Sequence, residues 1–177
     1  MAINFPDGTQ NFSGKVVQVK HYATATKTRV TDSNYFWGGQ NSGDGGLAFT
    51  MKNTSNKIFV SAAIAMGRNN TNGGIKLLVS GNTGYWSSNT TGSYTGGSNA
   101  YTGAFNTADD SNGVSGDYGI GTYHLSLISG TTMPSSFFLG FYWYEAASGH
   151  INFNRQENDN GGNAVSGMMV YELEDVS

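Results

Sequence analysis

The chain has 177 residues, 26 of them Gly and only 2 Pro, with 12% charged residues and a formal net charge of -3. That length suits one domain able to bury roughly 70% of its unfolded surface. The nine basic residues are scattered from Lys15 to Arg155, which excludes the basic face of a nucleic-acid groove, and the lack of Cys excludes disulfides.

No apolar run reaches membrane-spanning length, so membrane insertion is not expected. The opening MAINFPDGTQ has neither a basic nor an apolar signal region. Gly, Asn, Ser and Thr stand where helices need Ala, Leu, Glu and Lys, and no window sustains a 3.6-residue period. An all-β fold follows.

In chain order, residues 1–14 form a polar leader with a turn at Pro6-Asp7-Gly8. Ile3, Phe5 and Phe12 need something to pack on, so this N-terminal arm before a β-sandwich domain of residues 15–177 is expected either to fray or to dock on a neighbouring subunit or host structure. Lys15 to Val19 begin a first strand that runs toward Tyr22, and Tyr35-Phe36-Trp37 mark a strand among turns. Leu47 to Met51 read as a short strand, and residues 52–56 as a turn. In Lys57 to Met66, the side chains of Ile58, Val60, Ala62, Ile64 and Met66 share one face at period 2, which predicts a core strand. Residues 68–74 then predict a hairpin turn into a returning strand at Ile75, Leu77 and Val79.

Residues 81–122 are too long for a bare loop, so short strands are expected at Tyr85-Trp86 and Ala100 to Phe105. Tyr123 to Ile128 alternates as a strand. The organising stretch is Phe137 to Asn154. Phe137, Leu139, Phe141 and Trp143 lie on one face and Phe138, Tyr142 and Tyr144 on the other, so this strand is expected to be covered on both sides and to pack the core or a subunit contact. A turn at 146–149 predicts a hairpin to a half-exposed strand holding Ile151 and Phe153. Gly167 to Leu173 closes the chain as a last strand. Eight to ten antiparallel strands with evenly spaced turns predict a jelly-roll-like β-sandwich.

No catalytic constellation emerges. His21, His124 and His150 lack metal-ligand spacing, so no metal and no cofactor are expected. There is no GxSxG elbow. Glu145, Asp109, Asp110 and Asp117 read as solvated turn carboxylates rather than a glycosidase pair. The Asp109–Gly113 and Asn158–Gly161 stretches lack the full calcium-loop spacing and are first of all turn formers. What remains is surface: Tyr85, Trp86, Tyr94 and Tyr101 lie among Gly, Ser, Asn and Thr, a setting suited to stacking on sugar rings or to a partner contact.

Several segments together resemble a β-sandwich domain of tail-fibre and other virion proteins of tailed phages, especially marine and cyanobacterial ones. They are INFPDGTQ at 3–10, GKVVQVKH at 14–21, TSNKIFVSAAIAMG at 54–67, GGIKLLVSGN at 73–82, HINFNRQENDN at 150–160 and SGMMVYELEDV at 166–176. In place of the family's Asp-Ser-Pro before the aromatic strand, this chain has Ser129 to Pro134, and its 81–122 region has no counterpart. The resemblance implies a jelly roll similar to C1q and tumour-necrosis-factor domains, usually trimeric and without catalytic residues. It implies a non-enzymatic virion subunit, a fibre tip or capsid decoration protein, assembled in the host cytoplasm with other virion proteins. A carbohydrate-binding module contacting host-surface glycans is the alternative.

Overall fold

A computed structural model describes residues 3–4, 11–12, 15–31, 33–69, 73–81, 85, 104–105, 121–145, 150–155 and 164–174. The described strands are β1 (Ile3–Asn4), β2 (Asn11–Phe12), β3 (Val16–Thr24), β4 (Thr28–Val30), β5 (Asn34–Gly38), β6 (Leu47–Thr50), β7 (Lys57–Asn69), β8 (Gly73–Val79), β9 (Ala104–Phe105), β10 (Gly121–Ile128), β11 (Ser136–Glu145), β12 (His150–Phe153) and β13 (Ser166–Leu173). One 3-10 turn covers Ser42–Asp44. The fold is an all-β sandwich of two antiparallel sheets.

The larger sheet holds six of these strands and the smaller five, while β1 and β2 pair only with each other. In the larger sheet β7 is the spine. β10 runs along one of its edges, and β13 and then β12 share the other, at Lys57–Ala63 and Met66–Asn69 respectively. Outside them, β3 lines β13 and β4 lines β12. The smaller sheet repeats the device: β8 pairs with one edge of β11, while β6 and β5 divide the other. Spliced rows of this kind let short strands tile a long central one.

The apolar alternation read from sequence points inward. Ile58, Val60, Ala62, Ile64 and Met66 are at most 3% exposed, and they meet Phe137, Leu139, Phe141 and Trp143, which are at most 2% exposed. Those four are therefore core residues of a single chain and not subunit contacts, because the larger sheet covers them. The opposite face of β11 is only partly covered: Phe138 and Tyr142 are half-buried. Chain turning back at Gly46 lies against Phe138, since a Cβ at Gly46 would stand 2.9 Å from that ring.

Both predicted hairpins are corrected. β7 and β8 lie in different sheets, as do β11 and β12. Ile151, Asn152, Phe153 and Asn154 are at most 1% exposed rather than half-exposed. Alternation reveals which face is apolar, but the partner of a strand is set by which layer completes its burial.

A bulge solves one local conflict. β11 pairs Phe141 with Trp37 and Tyr142 with Tyr35, leaving Phe36 as the extra residue. Neighbours in sequence, Phe36 and Trp37 are thereby both buried. Phe36 packs edge-on to Phe153 of the opposite sheet at 5.0 Å, and Trp37 stacks on Phe141 at 5.1 Å.

Candidate functional site

Two surfaces stand out, one on each sheet. The first is the outer face of the larger sheet, where register aligns side chains in rows. One row runs Val19, Tyr171, Phe59, Ile128; the next His21, Met169, Ser61, Ser126; the next Ala23, Gly167, Ala63, His124. No Asp, Glu, Lys or Arg stands in these rows. The rings of Phe59 and Tyr171 touch with centroids 5.7 Å apart. At the β3 end the face becomes openly apolar: Val17 is 36% and Val19 46% exposed.

The inward side chains of β3 do a different job. Gln18 Nε2 donates to the Thr50 carbonyl at 2.7 Å, Lys20 Nζ to the Ala48 carbonyl at 2.7 Å, and the Tyr22 hydroxyl to that same carbonyl. These groups cap the edge strand β6 of the smaller sheet, which would otherwise offer bare carbonyls. Burial pushes the Tyr22 hydroxyl pKa up to about 12. Lys20, the one charge midway along β3, is bent inward over the Tyr22 ring at 5.1 Å.

The second surface is an open cleft of about 670 Å³ at the edge of the smaller sheet, lined by Thr28, Asn34, Tyr35, Phe36, Gly38, Gln40, Asp44, Gly45 and Tyr142. Its aromatic wall comes from two strands. Tyr35 of β5 and Tyr142 of β11 are register partners whose rings meet edge-to-face at 5.2 Å and 77°. They can approach so closely because β11 has Gly140 nearby, where a Cβ would stand 2.9 Å from the Tyr35 ring.

The opposite rim is the 3-10 turn. Asn41 Oδ1 accepts from the Asp44 backbone N–H at 3.1 Å, and Asn41 Nδ2 donates to Asp44 Oδ2 at 2.7 Å. Gly45 closes the turn at φ 73, a conformation glycine adopts without strain, and no atom lies within 4 Å of where its Cβ would be. The Tyr35 hydroxyl is buried and its pKa is raised, first by desolvation, with Tyr142 and Asp44 adding and the Gln40 amide opposing. These four polar groups thus converge on one end of the cleft. Among the described residues lining it, Asp44 is the sole charged side chain.

Of the residues expected to contact glycan, Tyr85 lies in a turn rather than a strand and is half-buried against the core. Its carbonyl accepts from the Gly130 N–H at 2.9 Å, so it acts as structural support. Trp86, Tyr94 and Tyr101 lie outside the described residues, as do Asp109, Asp110 and Asp117. The described residues contain no group of three or more His, Asp or Glu placed to hold a metal ion. The cleft escaped the sequence reading because Tyr35 and Tyr142 are far apart along the chain. A local signal was present all the same: an aromatic trio followed by Gly-Gly-Gln-Asn and an Asp-Gly-Gly turn.

Compared with protein-family models, the chain matches none, and a search of curated proteins finds no match.

Proposed function

We propose that this protein is a non-enzymatic structural subunit of a tailed-phage virion, a fibre tip or capsid decoration protein, that works as a homotrimer. The observation that carries the reading is the set of rows across β3, β13, β7 and β10 that hold no Asp, Glu, Lys or Arg, with Val17 and Val19 exposed at the β3 end. An exposed apolar row beside polar ones marks a contact surface. A second copy can cover it without burying an unpaired charge. The resemblance of the strand sequences to phage virion domains supplies the virion setting and the three-fold count.

The test is mass in solution by light scattering. A single chain is 18.8 kDa. The expected result is a trimer for the native sequence, and a monomer when Val17→Lys and Val19→Lys are combined. A native monomer at working concentrations would overturn the assembly.

The aromatic cleft favours a second reading, carbohydrate recognition. It lies at the edge of the smaller sheet on residues outside those rows, so the two roles are compatible.

A further inference from the structure

We propose that the cleft between Tyr35, Tyr142 and the Ser42–Asp44 turn is a binding site for a neutral oligosaccharide. This rests on the cleft alone and is independent of the assembly reading, whose surface belongs to the larger sheet.

Four separate chain segments converge to make the cleft: Thr28, Asn34 to Gln40, the Asp44–Gly45 turn, and Tyr142. Its volume falls within the roughly 300–1,000 Å³ of small-molecule sites. Such a space admits a few sugar rings and is too small for a folded partner. Sugar rings combine apolar C–H faces with hydroxyls that both donate and accept. The Tyr142 ring, half-exposed and braced edge-on by Tyr35, offers an aromatic surface for the C–H face.

Polar groups stand at the right place for the hydroxyls. Asn41 occupies one carboxylate oxygen of Asp44, Oδ2, while Oδ1 has no partner among the described residues and is free to accept a ligand hydroxyl. A carboxylate is the strongest acceptor a protein can offer such a donor. The side-chain amides of Gln40 and Asn34 and the Thr28 hydroxyl add groups of both kinds. Because Asn41 clasps Asp44 and the turn is capped at both ends, the rim is already in its binding geometry, which lowers the entropy cost of capture.

Charge decides the sugar class. Among the described residues lining the cleft the one charged group is negative, so a uronic acid, sialic acid or phosphorylated sugar would be repelled, whereas a neutral sugar enters without that cost. Two tyrosines beside a carboxylate also suit a quaternary ammonium. The breadth of the cleft and its surrounding amides favour the polyhydroxylated ligand instead.

The test applies the full-length protein to an immobilised panel of neutral, N-acetylated and acidic oligosaccharides. The strongest binders are then titrated while the backbone amide signals of Gln40 to Gly45 and Tyr142 are followed, with choline as a separate arm. The expected result is binding of at least one neutral sugar that moves those signals. Tyr142→Ala should weaken it about tenfold or more, the scale of losing one aromatic contact. Tyr142→Phe should retain most of the affinity, and Asp44→Asn should lose several-fold, each measured on protein that keeps the native circular dichroism spectrum. Binding only of acidic sugars or of choline overturns the proposal, as does a panel without binders. Neutral-sugar binding indifferent to Tyr142→Ala and Asp44→Asn also overturns it. None of these results depends on oligomeric state, which light scattering reads separately.

Discussion

Ser166 donates its hydroxyl to the side-chain oxygen of Asn154 across 2.7 Å, and neither residue is exposed at all. Around this pair the spliced rows of the larger sheet are joined. The Ser166 hydroxyl accepts from the Ala65 N–H at 2.9 Å, and the Asn154 N–H donates to the Ala65 carbonyl at 2.9 Å. The Asn154 amide then donates to the carbonyls of Thr24 at 3.0 Å and Thr26 at 3.1 Å. One asparagine thus bridges the gap between β12 and β13 and the gap between β3 and β4.

Asn154→Asp keeps the size of the side chain but replaces its two N–H donors with an acceptor facing two carbonyls. It should lower unfolding free energy by about 2–4 kcal/mol, because buried carbonyls lose their donors. Asn154→Gly suits the positive φ of 55 and removes the bonds without adding repulsion, so its loss should be smaller. Urea midpoints at unchanged slope measure both, and equal losses would refute the bridging role.

Glu172 is fully buried, and its carboxylate accepts from the backbone N–H groups of Lys52 and Asn53, from Asn56 Nδ2 at 2.6 Å and from Gln18 Nε2. Burial alone would raise its pKa, but these hydrogen bonds outweigh burial and hold it below the ordinary carboxylate value. A carboxyl group whose folded pKa is depressed stabilises fully above its unfolded pKa, and that contribution disappears as pH falls toward the folded one. The native protein should therefore lose stability below about pH 4.5. Glu172→Gln should cost roughly 3 kcal/mol at neutral pH and flatten this acid dependence. Chemical denaturation across a pH series separates the two effects.

At the alkaline end, the raised Tyr22 hydroxyl has the opposite sign. Its contribution is complete below pH 10 and fades as pH climbs toward its folded pKa of about 12. Tyr22→Phe should remove one late-titrating phenolate from the ultraviolet absorption curve. It should also make the protein less stable at neutral pH by about 1 kcal/mol, the worth of the bond to Ala48. An unchanged phenolate titration would place the late titration elsewhere.

Gly140→Ala would put a methyl 2.8 Å from the Gly39 backbone nitrogen and 3.0 Å from the Gly39 Cα, where only a shift of β5 away from β11 could make room. A loss of about 1–3 kcal/mol is expected, as in other overpacked sites. The wall of the cleft should loosen with it, since Tyr35 would move. A melting temperature equal to that of the native protein would mean the two strands are further apart than described.

Phe141→Asp places a carboxylate between Trp37 and the opposite sheet at a fully buried site. The described core around it holds no cation to pair with it, so the chain should fail to yield soluble folded protein. Recovery of a soluble species with native circular dichroism would remove Phe141 from the core.

The faces of the strands were legible in the sequence because period-2 apolar spacing is a property of a single segment. Ile58 to Met66 and Phe137 to Trp143 turned inward as read. Pairing was not legible, because it depends on residues far apart. Gln18 and Glu172, which share a hydrogen bond, stand 154 positions apart. The inward turn of Glu172 breaks the usual rule that a carboxylate in an alternating strand faces water, and only the donors around it explain the exception. Asn152 and Asn154, which alternate with Ile151 and Phe153 along the expected half-exposed strand, are buried for the same reason. The first meets Arg29 Nε at 3.2 Å and the second forms the splice. The cleft was invisible because its aromatic wall joins two strands that become neighbours only once β11 has found β5.

The hold of Asn154 on Thr24 and Thr26 has a bearing on how copies of the chain can meet. Exchange of a terminal strand between copies needs a connection that can straighten, and the link from β3 to β4 is three residues pinned across its length. A donated β3 would have to drag β4 out with it and undo the splice. Exchange of the first long strand is therefore disfavoured, and copies that did associate would keep β3 seated in its own sheet.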